Sequence, residues 1–542
     1  MYYIDIVTSQ LQKYTQWNFQ CLPVSHQLLI LTNSNMEMLN LVIFTVCLGA
    51  IGVLVYFYWQ MNFWKRKGIP QIQCLPIIGS HFKLITGRIA ISDFVKYLYS
   101  CHQDAKYFGM FDFNTPLLVV RDPDLIKEIG VKSFEHFLDH KSFLDETMDP
   151  IFGKNVFSLK GDRWKEMRNT LSPSFTAAKM KFIFELIDKC ASDFVQYFLD
   201  HSDETKSINT KDAFTRYTND VIATAAFGIT VNSMQDKENE FYVHGADASS
   251  FRGFWRFAKF IMFRMFPSFL RLIGEPFVSR SSARFFKAVI RETLNEREKN
   301  KIIRPDMIHL LMEAKEKEDG INLSVDDIVA QSFIFFLAGF ETSSTLMSFL
   351  THELVMNPEI QEKLRNEVDM IIERDNSKIT YETLSKMKYL DMVVSECLRK
   401  YPPSPVVDRV CVKTYTLPKP TPDSNEYIVE PNTSIWFPVN GIHHDPKYYP
   451  DPEKFDPERF SDENKDNIHP YAYLPFGLGP RKCIGNRFAL METKLLIVYI
   501  MKHFILERTE KTQHPLKFEI SVTIGVQGGT WAKFVKRTSK VS

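Results

Sequence analysis

Ten consecutive residues, Phe476-Gly-Leu-Gly-Pro-Arg-Lys-Cys-Ile-Gly485, surround the most chemically informative cysteine of the chain. A glycine-rich loop sets Cys483 just ahead of a helix predicted from about Ile484 to Phe504. Backbone N–H groups and the positive end of that helix would stabilise a thiolate and hydrogen-bond its sulfur. Gly479 and Gly485 would let the backbone approach a large flat cofactor closely. Arg481 presents a fork that suits a carboxylate on such a group. A lone cysteine is ordinarily buried packing, so the ten-residue setting is what makes Cys483 a candidate ligand.

Residues far away in the chain could serve the same site. In Ala338-Gly-Phe-Glu-Thr-Ser343 polar groups interrupt an apolar helix surface. Gly339 costs a helix interior ~1 kcal/mol relative to alanine, so a helix that keeps it needs a reason. Thr342 can bond back to the Ala338 carbonyl, loosen the turn and open a groove. Taken alone, a Ser/Thr-rich core patch explains the same residues. Glu396 and Arg399 share one helical face at i, i+3, a spacing that is usually only a solvated salt bridge. Trp164 and Arg168 lie one turn apart, as they also would on a mixed-charge surface helix.

The Phe476–Gly485 stretch matches, position by position, the Phe-x-x-Gly-x-Arg-x-Cys-x-Gly signature of cytochromes P450, and the chain resembles that superfamily. Phe336–Ser344, Asn357–Arg365 and Cys483–Met491 are similar to its animal microsomal branch, which oxidises drugs, steroids and plant toxins. The resemblance implies a mainly α fold with small β-sheets and haem b held by the Cys483 thiolate. It places Phe476, Gly479, Gly485, Arg481 and Ala338 around that haem. It implies that Trp164, Arg168 and Arg409 contact haem propionates. By the same resemblance Thr342 orients dioxygen or its water network, and Glu341, where many members have Asp, helps deliver protons. Glu396, Arg399 and the Arg459 of Pro457-Glu-Arg-Phe460 would form a supporting network.

The implied activity is insertion of one oxygen atom from O2 into a lipophilic small molecule. Thiolate ligation favours O–O cleavage. The sequence contains no FMN, FAD or NADPH motif, so NADPH-derived electrons are expected through a partner. That partner is the membrane-bound NADPH–cytochrome reductase, with cytochrome b5 as a further donor. Lys165, Lys482 and Arg487 are candidates to meet an acidic partner surface. By resemblance, Phe134 to Phe157, Phe335, Ala338, Val406-Val407 and Thr523 to Val526 form the pocket walls. Two other readings stay open: a haem-thiolate isomerase or dehydratase that needs no reductase, and a non-catalytic haem binder.

Several elements must position these groups. Ser324-Val-Asp-Asp327 reads as a capping box that opens a helix running to about Met356, ~48 Å long at ~1.5 Å per residue. A helix so long and apolar must be central. Helices are also expected over residues 176–200, 210–227, 358–374 and 388–400. Short strands are expected at Leu117–Val120, after Phe518 and after Trp531. Lys plus Arg number 66 and Asp plus Glu 65, which excludes the clustered basic excess of a nucleic-acid footprint. The eight cysteines contain no CxxC pair, which disfavours a zinc site.

The domain reading is a 1–38 tail, a 39–59 transmembrane anchor, a 60–80 basic and proline-containing hinge, and a catalytic domain over 81–542. Leu39 to Trp59 carries no charge and covers ~30 Å of hydrocarbon. Lys65-Arg66-Lys67 follows, predicting a single-pass protein of the endoplasmic reticulum membrane with its body in the cytosol. Translation from Met36 or Met38, or a disordered lumenal tail, is expected to account for residues 1–38. Phe251 to Gly274 mixes aromatic and basic residues, as a helix in contact with lipid or an ordinary core helix pair would.

Overall fold

One uninterrupted helix, α1 (Val24–Met61), dominates the first of two units, which ends at Arg66. The computed structural model describes residues 24–538 except 142–143, 145, 250–253, 305, 317–322, 376–377 and 522. The helix begins well before the expected anchor, because Val24 to Leu48 contains neither Gly nor Pro to stop it. Part of the expected 1–38 tail is therefore helical, while residues 1–23 lie outside the described residues. Met38–Met61 has a mean hydropathy of 2.5 and buries nothing within the chain. At ~1.5 Å per residue it is long enough to cross a bilayer.

The second unit opens with a correction to the hinge. Residues 67–80 dock along strand β1 (Tyr107–Asp112) instead of running free. Gln71 bridges to Gly109, and Ser80 N–H donates to Phe111 O at 2.9 Å. At Gly79, φ is +64° and a Cβ would lie 2.5 Å from Phe113 O, so only glycine fits this corner.

Strand β1 pairs antiparallel with β2 (Thr115–Val120). A two-residue strand, β3 (Ile208–Asn209), follows much later in the chain. Next come β4 (Val407–Val410), β5 (Tyr415–Leu417), β6 (Tyr427–Val429) and β7 (Ser434–Phe437). The chain closes with β8 (Phe504–Glu507) and β9 (Trp531–Lys536). The sheets are ordered β1-β2-β7-β4, β3-β9-β8 and β5-β6. In the first, β7 runs parallel to β2 and antiparallel to β4, with Arg409 opposite Ile435. Strand β8 starts at Phe504, where the helix expected from Ile484 ends, and was not foreseen. The stretch after Phe518 makes only an isolated bridge to Val526.

The helices that build the site are α2 (Gly161–Leu171), α3 (Ala177–Asp200), α4 (Thr210–Ile222) and α5 (Phe254–Met265). After them come α6 (Val325–Met356), α7 (Pro358–Arg374), α8 (Lys388–Lys400) and α9 (Asn486–His503). The capping box of α6 forms as read: Asp327 N–H donates to Ser324 Oγ at 3.1 Å and Ser324 N–H to Asp327 Oδ2 at 3.0 Å. Helix α6 is buried along most of its length, with α4, α8 and α9 packed around it. Gly339 is explained by this packing, since a Cβ there would meet Ile222 Cδ1 of α4 at 2.6 Å. Phenylalanines fill the space beside α6; Phe286 and Phe336 lie 4.9 Å apart and Phe227 and Phe241 5.0 Å apart. Much of the phenylalanine content thus packs against itself. Helix α5 and the short helix after it (Pro267–Ile273) expose Trp255, Phe266, Phe269 and Leu272 between them.

Candidate active site

The loop ahead of α9 is folded tightly on itself. Cys483 N–H donates to Phe476 O at 2.9 Å, and Lys482 N–H to Gly479 O at 3.0 Å. Gly479 has φ +65°, and a Cβ on it would lie 1.9 Å from Gly130 O. This glycine therefore permits a close approach to the Gly130 backbone. Gly485 has ordinary backbone angles and caps α9. Its N–H points to the Cys483 sulfur and favours the thiolate. Gly485 thus contributes a hydrogen bond to the cysteine.

Cys483 keeps accessible surface, yet burial is the largest influence on its thiol and raises the pKa. The accessible face must look into an enclosed space. The Gly485 N–H and the charges of Arg168 and Lys482 act in the opposite direction. Arg168, on α2, also donates to Lys482 O at 2.7 Å, tying α2 to the cysteine loop.

Across that space lies one face of α6. Phe335, Ala338 and Thr342 are spaced i, i+3, i+7 and share a side of the helix. Ala338 and Thr342 are exposed on a helix otherwise buried almost throughout. Phe335 meets Phe175 edge-on at 5.5 Å, and Phe175 Cε1 is 3.8 Å from where a Gly485 Cβ would be. The α6 face and the cysteine loop therefore converge around Phe175. Thr342 donates to Ala338 O at 2.6 Å, as read from the sequence. Helix α6 nonetheless runs unbroken through the motif. Glu341, on the neighbouring face, pairs with Lys211 of α4 at 3.1 Å.

The arginines differ in what they hold. Arg409, fully buried on β4, donates to Asp408 O at 2.7 Å and Leu478 O at 3.0 Å, and its Nε has no partner among the described residues. The neighbouring Asp408 carboxylate is occupied by His140 Nδ1 at 2.8 Å and Lys141 N–H at 2.7 Å. Arg481 spends its fork inside the protein: on Leu138 O and Leu159 O, both at 2.9 Å, and on Asp139 at 3.3 Å. It also stacks 3.9 Å from the centre of the buried Trp164 ring. The carboxylate fork expected of Arg481 is thus engaged with the 138–159 segment.

Glu396, Arg399 and Arg459 do come together. Arg399 grips the fully buried Glu396 with two bonds, at 2.7 and 2.8 Å, and donates to His443 O at 2.8 Å. Arg459 Nε stands 3.5 Å from Glu396. Asp456 N–H adds a bond to Glu396 at 2.9 Å. This cluster links α8 to the chain segment that leads into the cysteine loop.

The suggested pocket walls disperse. Thr523 lines one pocket, of about 410 Å³, with Lys211 and Glu341. Ile524 lines another, of about 250 Å³, beside His352 and Tyr401. Phe134 packs 5.8 Å from Trp164. Val407 sits near Gly477 of the cysteine loop.

Two groups escaped the sequence reading. Lys211 was missed because nothing local marks its partner 130 residues away. Glu492, fully buried on α9, has a carboxyl pushed up to about 8 by burial. Its signal was present: a lone acid in the apolar run Phe488-Ala-Leu-Met-Glu-Thr.

Comparison with known proteins agrees with this geometry. The family model described as Cytochrome P450 matches residues 70–528. A protein named cytochrome P450 9e2, from Blattella germanica, is 43% identical over 537 residues, 93% of this chain and 100% of that protein. Probable cytochrome P450 9f2 of Drosophila melanogaster is 40% identical over 515 residues, 90% of this chain and 98% of its own length. Cytochrome P450 6k1 of Blattella germanica is 36% identical over 520 residues, with shares of 92% and 98%. A glycine-bound cysteine loop facing an accessible turn of a long central helix, in a fold matched over nearly the whole second unit, places this chain in the cytochrome P450 family of haem-dependent monooxygenases.

Proposed function

We propose that this protein is a membrane-anchored monooxygenase in which Cys483 ligates the haem and Thr342 and Glu341 manage protons for oxygen insertion into a lipophilic small molecule. The observation that carries the reading is the convergence of the accessible Cys483 thiol with the accessible Ala338–Thr342 face around Phe175.

The residues present fit haem. A buried arginine with an unpartnered Nε is costly unless an acceptor arrives, and a propionate supplies one at Arg409. Arg168 contributes a second positive charge at the cysteine loop. Trp164, braced by Arg481, offers an apolar edge between them. When bound, haem with a thiolate ligand supplies the oxygen activation and insertion. The chain does the rest. The Gly485 N–H, Arg168 and Lys482 favour the Cys483 thiolate that would ligate the haem, against the burial that raises the pKa of the free thiol. The small Ala338 side chain would leave room for the group, and Thr342, bonded to Ala338 O, would present its hydroxyl to that space. Glu341 returns protons to that hydroxyl from solvent. The Glu396–Arg399–Arg459 cluster keeps the cysteine loop in register.

Electrons come from NADPH through NADPH–cytochrome reductase, with cytochrome b5 as a second donor. Lys482 and Arg487, exposed beside Cys483, are the docking cations. Lys165 serves less well, since Glu135 at 2.9 Å and Asp162 at 3.7 Å already answer its charge. Helix α1 anchors the chain in the endoplasmic reticulum membrane, and the exposed apolar side chains Trp255, Phe266, Phe269 and Leu272 suit contact with lipid. The decisive experiment is a reduced, carbon-monoxide difference spectrum of wild type and Cys483→Ser, followed by turnover under ¹⁸O₂ with reductase. A red-shifted Soret band lost in the serine variant, with label in the product, is expected. Unchanged pigment in Cys483→Ser, or unlabelled product, refutes the assignment.

A further inference from the structure

Helix α4 grips the oxygen-motif turn of α6 from behind. Lys211, in its first turn, reaches Glu341 Oε2 at 3.1 Å, Glu341 O at 3.3 Å, Ser344 Oγ at 2.6 Å and Thr345 Oγ1 at 3.0 Å. Two turns later Thr218 donates to Phe340 O at 2.9 Å. One ammonium thus fixes both the carboxylate and the carbonyl of Glu341. The side chains of Lys211 and Glu341 are 13% and 20% exposed, so the pair escapes most of the screening that weakens surface ion pairs.

The pair also borders open space. Lys211 and Glu341 line the pocket of about 410 Å³ together with Asp212, Tyr242, Glu519 and Thr523. The charges facing the pair are Asp212 and Arg216 on α4 and Glu519 near the C-terminus. Asp212 is already engaged by Arg216 at 3.0 Å and by the Tyr242 hydroxyl at 2.9 Å. Successive helix residues point about 100° apart. Glu341 therefore looks towards α4 and this pocket, while Thr342 keeps its accessible surface on the Ala338 side. Position 341 is the boundary between the two.

We propose that Lys211 is the positioning residue for Glu341 in proton delivery, and that the pocket behind the pair is where solvent recharges it. This rests on the reading of Glu341 as the proton-delivering group. The Glu341 carboxyl gives its proton towards the Thr342 hydroxyl and takes one back from hydronium in the pocket, ending each turnover unchanged. Lys211 restricts the carboxylate to the one geometry from which both transfers reach, as positioned acid–base groups require.

The test uses full-length holoprotein with reductase in four variants: Lys211→Met, Lys211→Arg, Glu341→Gln, and Lys211→Met combined with Glu341→Gln. The carbon-monoxide spectrum first checks haem ligation in each. Lys211→Met is expected to lower kcat and product formed per NADPH roughly tenfold to a hundredfold. It should raise the solvent deuterium isotope effect on kcat and leave the substrate binding spectrum unchanged, with Lys211→Arg restoring most of the loss. Adding Lys211→Met to Glu341→Gln should cost nothing further, because the positioned group is already gone. In the resting protein without reductase, hydrogen exchange over Phe340–Thr345 should quicken in Lys211→Met and recover in Lys211→Arg. Should Lys211→Met fail to load haem, Lys211→Gln, which can still bond Ser344 and Thr345, replaces it. The proposal is overturned if Glu341→Gln is impaired while Lys211→Met keeps its coupling and isotope effect, or if the two losses add in full. If Glu341→Gln is itself unimpaired, the reading of Glu341 falls, and the role of Lys211 with it.

Discussion

Replacing Glu492 by glutamine should make the protein relatively more stable as pH rises. The carboxyl is fully buried on α9, and neither of its oxygens nor the nearby Ser343 hydroxyl makes a well-aligned hydrogen bond among the described residues. Burial lifts its pKa from an ordinary 4.5 to about 8, with Ser343 pulling weakly the other way. The folded chain therefore binds this proton more tightly than the unfolded chain does. Its stabilising effect is full below pH 4.5 and is lost as pH rises through about 8. The gap corresponds to about 5 kcal/mol in total, of which about 3 kcal/mol is already lost at pH 7.

Glutamine keeps the shape of the neutral acid and has no ionised form, so its contribution does not vary with pH. Between pH 6 and pH 9 the stability of Glu492→Gln relative to wild type should rise by about 3 kcal/mol. The assay is urea denaturation of detergent-solubilised holoprotein, followed by tryptophan fluorescence at several pH values. Taking the difference between the two proteins cancels every titration they share. Parallel pH profiles, or a glutamine variant that loses ground as pH rises, would refute the claim that Glu492 is buried neutral.

Glu396→Ala leaves Arg399 and Arg459 buried without their carboxylate and should cost about 3–5 kcal/mol in the same denaturation assay. Glu396→Gln, which keeps some of the bonds, should cost less. Gly479→Ala forces a side chain onto φ +65° against Gly130 O, so it should abolish the carbon-monoxide signal of thiolate ligation. Gly485→Ala, meeting only Phe175 at 3.8 Å, should retain it. Arg409→Met removes the unpartnered Nε and should speed haem loss to apomyoglobin several-fold. An unchanged loss rate would mean that no propionate is bound there.

What could be read in the sequence and what could not divide along a physical line. Motifs whose meaning is local were legible: the Ser324–Asp327 capping box, the back-bond of Thr342 to Ala338, the i, i+3 geometry of Glu396 and Arg399. Each is closed within one turn of helix, so type and spacing suffice. The glycines were noticed but their neighbours were not, because a missing side chain says only that something comes close. Gly479 makes room for Gly130, about 350 residues earlier, and Gly339 for Ile222; neither neighbour can be inferred from a spacing. The neighbours of Arg481 were hidden for the same reason, since the carbonyls that bond it lie on the 138–159 segment. Lys211 was invisible altogether, although it bonds Glu341, Ser344 and Thr345 of α6.

That asymmetry bears on how relatives sharing these motifs come to differ. In the function proposed above, the cysteine loop and the α6 turn set the reaction, and both are short enough to persist as words in the sequence. Their surroundings are supplied by distant elements: α4 behind Glu341, the 138–159 segment around Arg481, Phe175 between the two faces. A substitution at Lys211 would leave every recognisable motif intact while changing how protons reach the site. Two chains with the same Phe-x-x-Gly-x-Arg-x-Cys-x-Gly and Ala-Gly-x-Glu-Thr words can therefore differ in coupling for reasons that only packing shows. For this chain, proton supply should respond to changes on α4 as strongly as to changes on α6 itself.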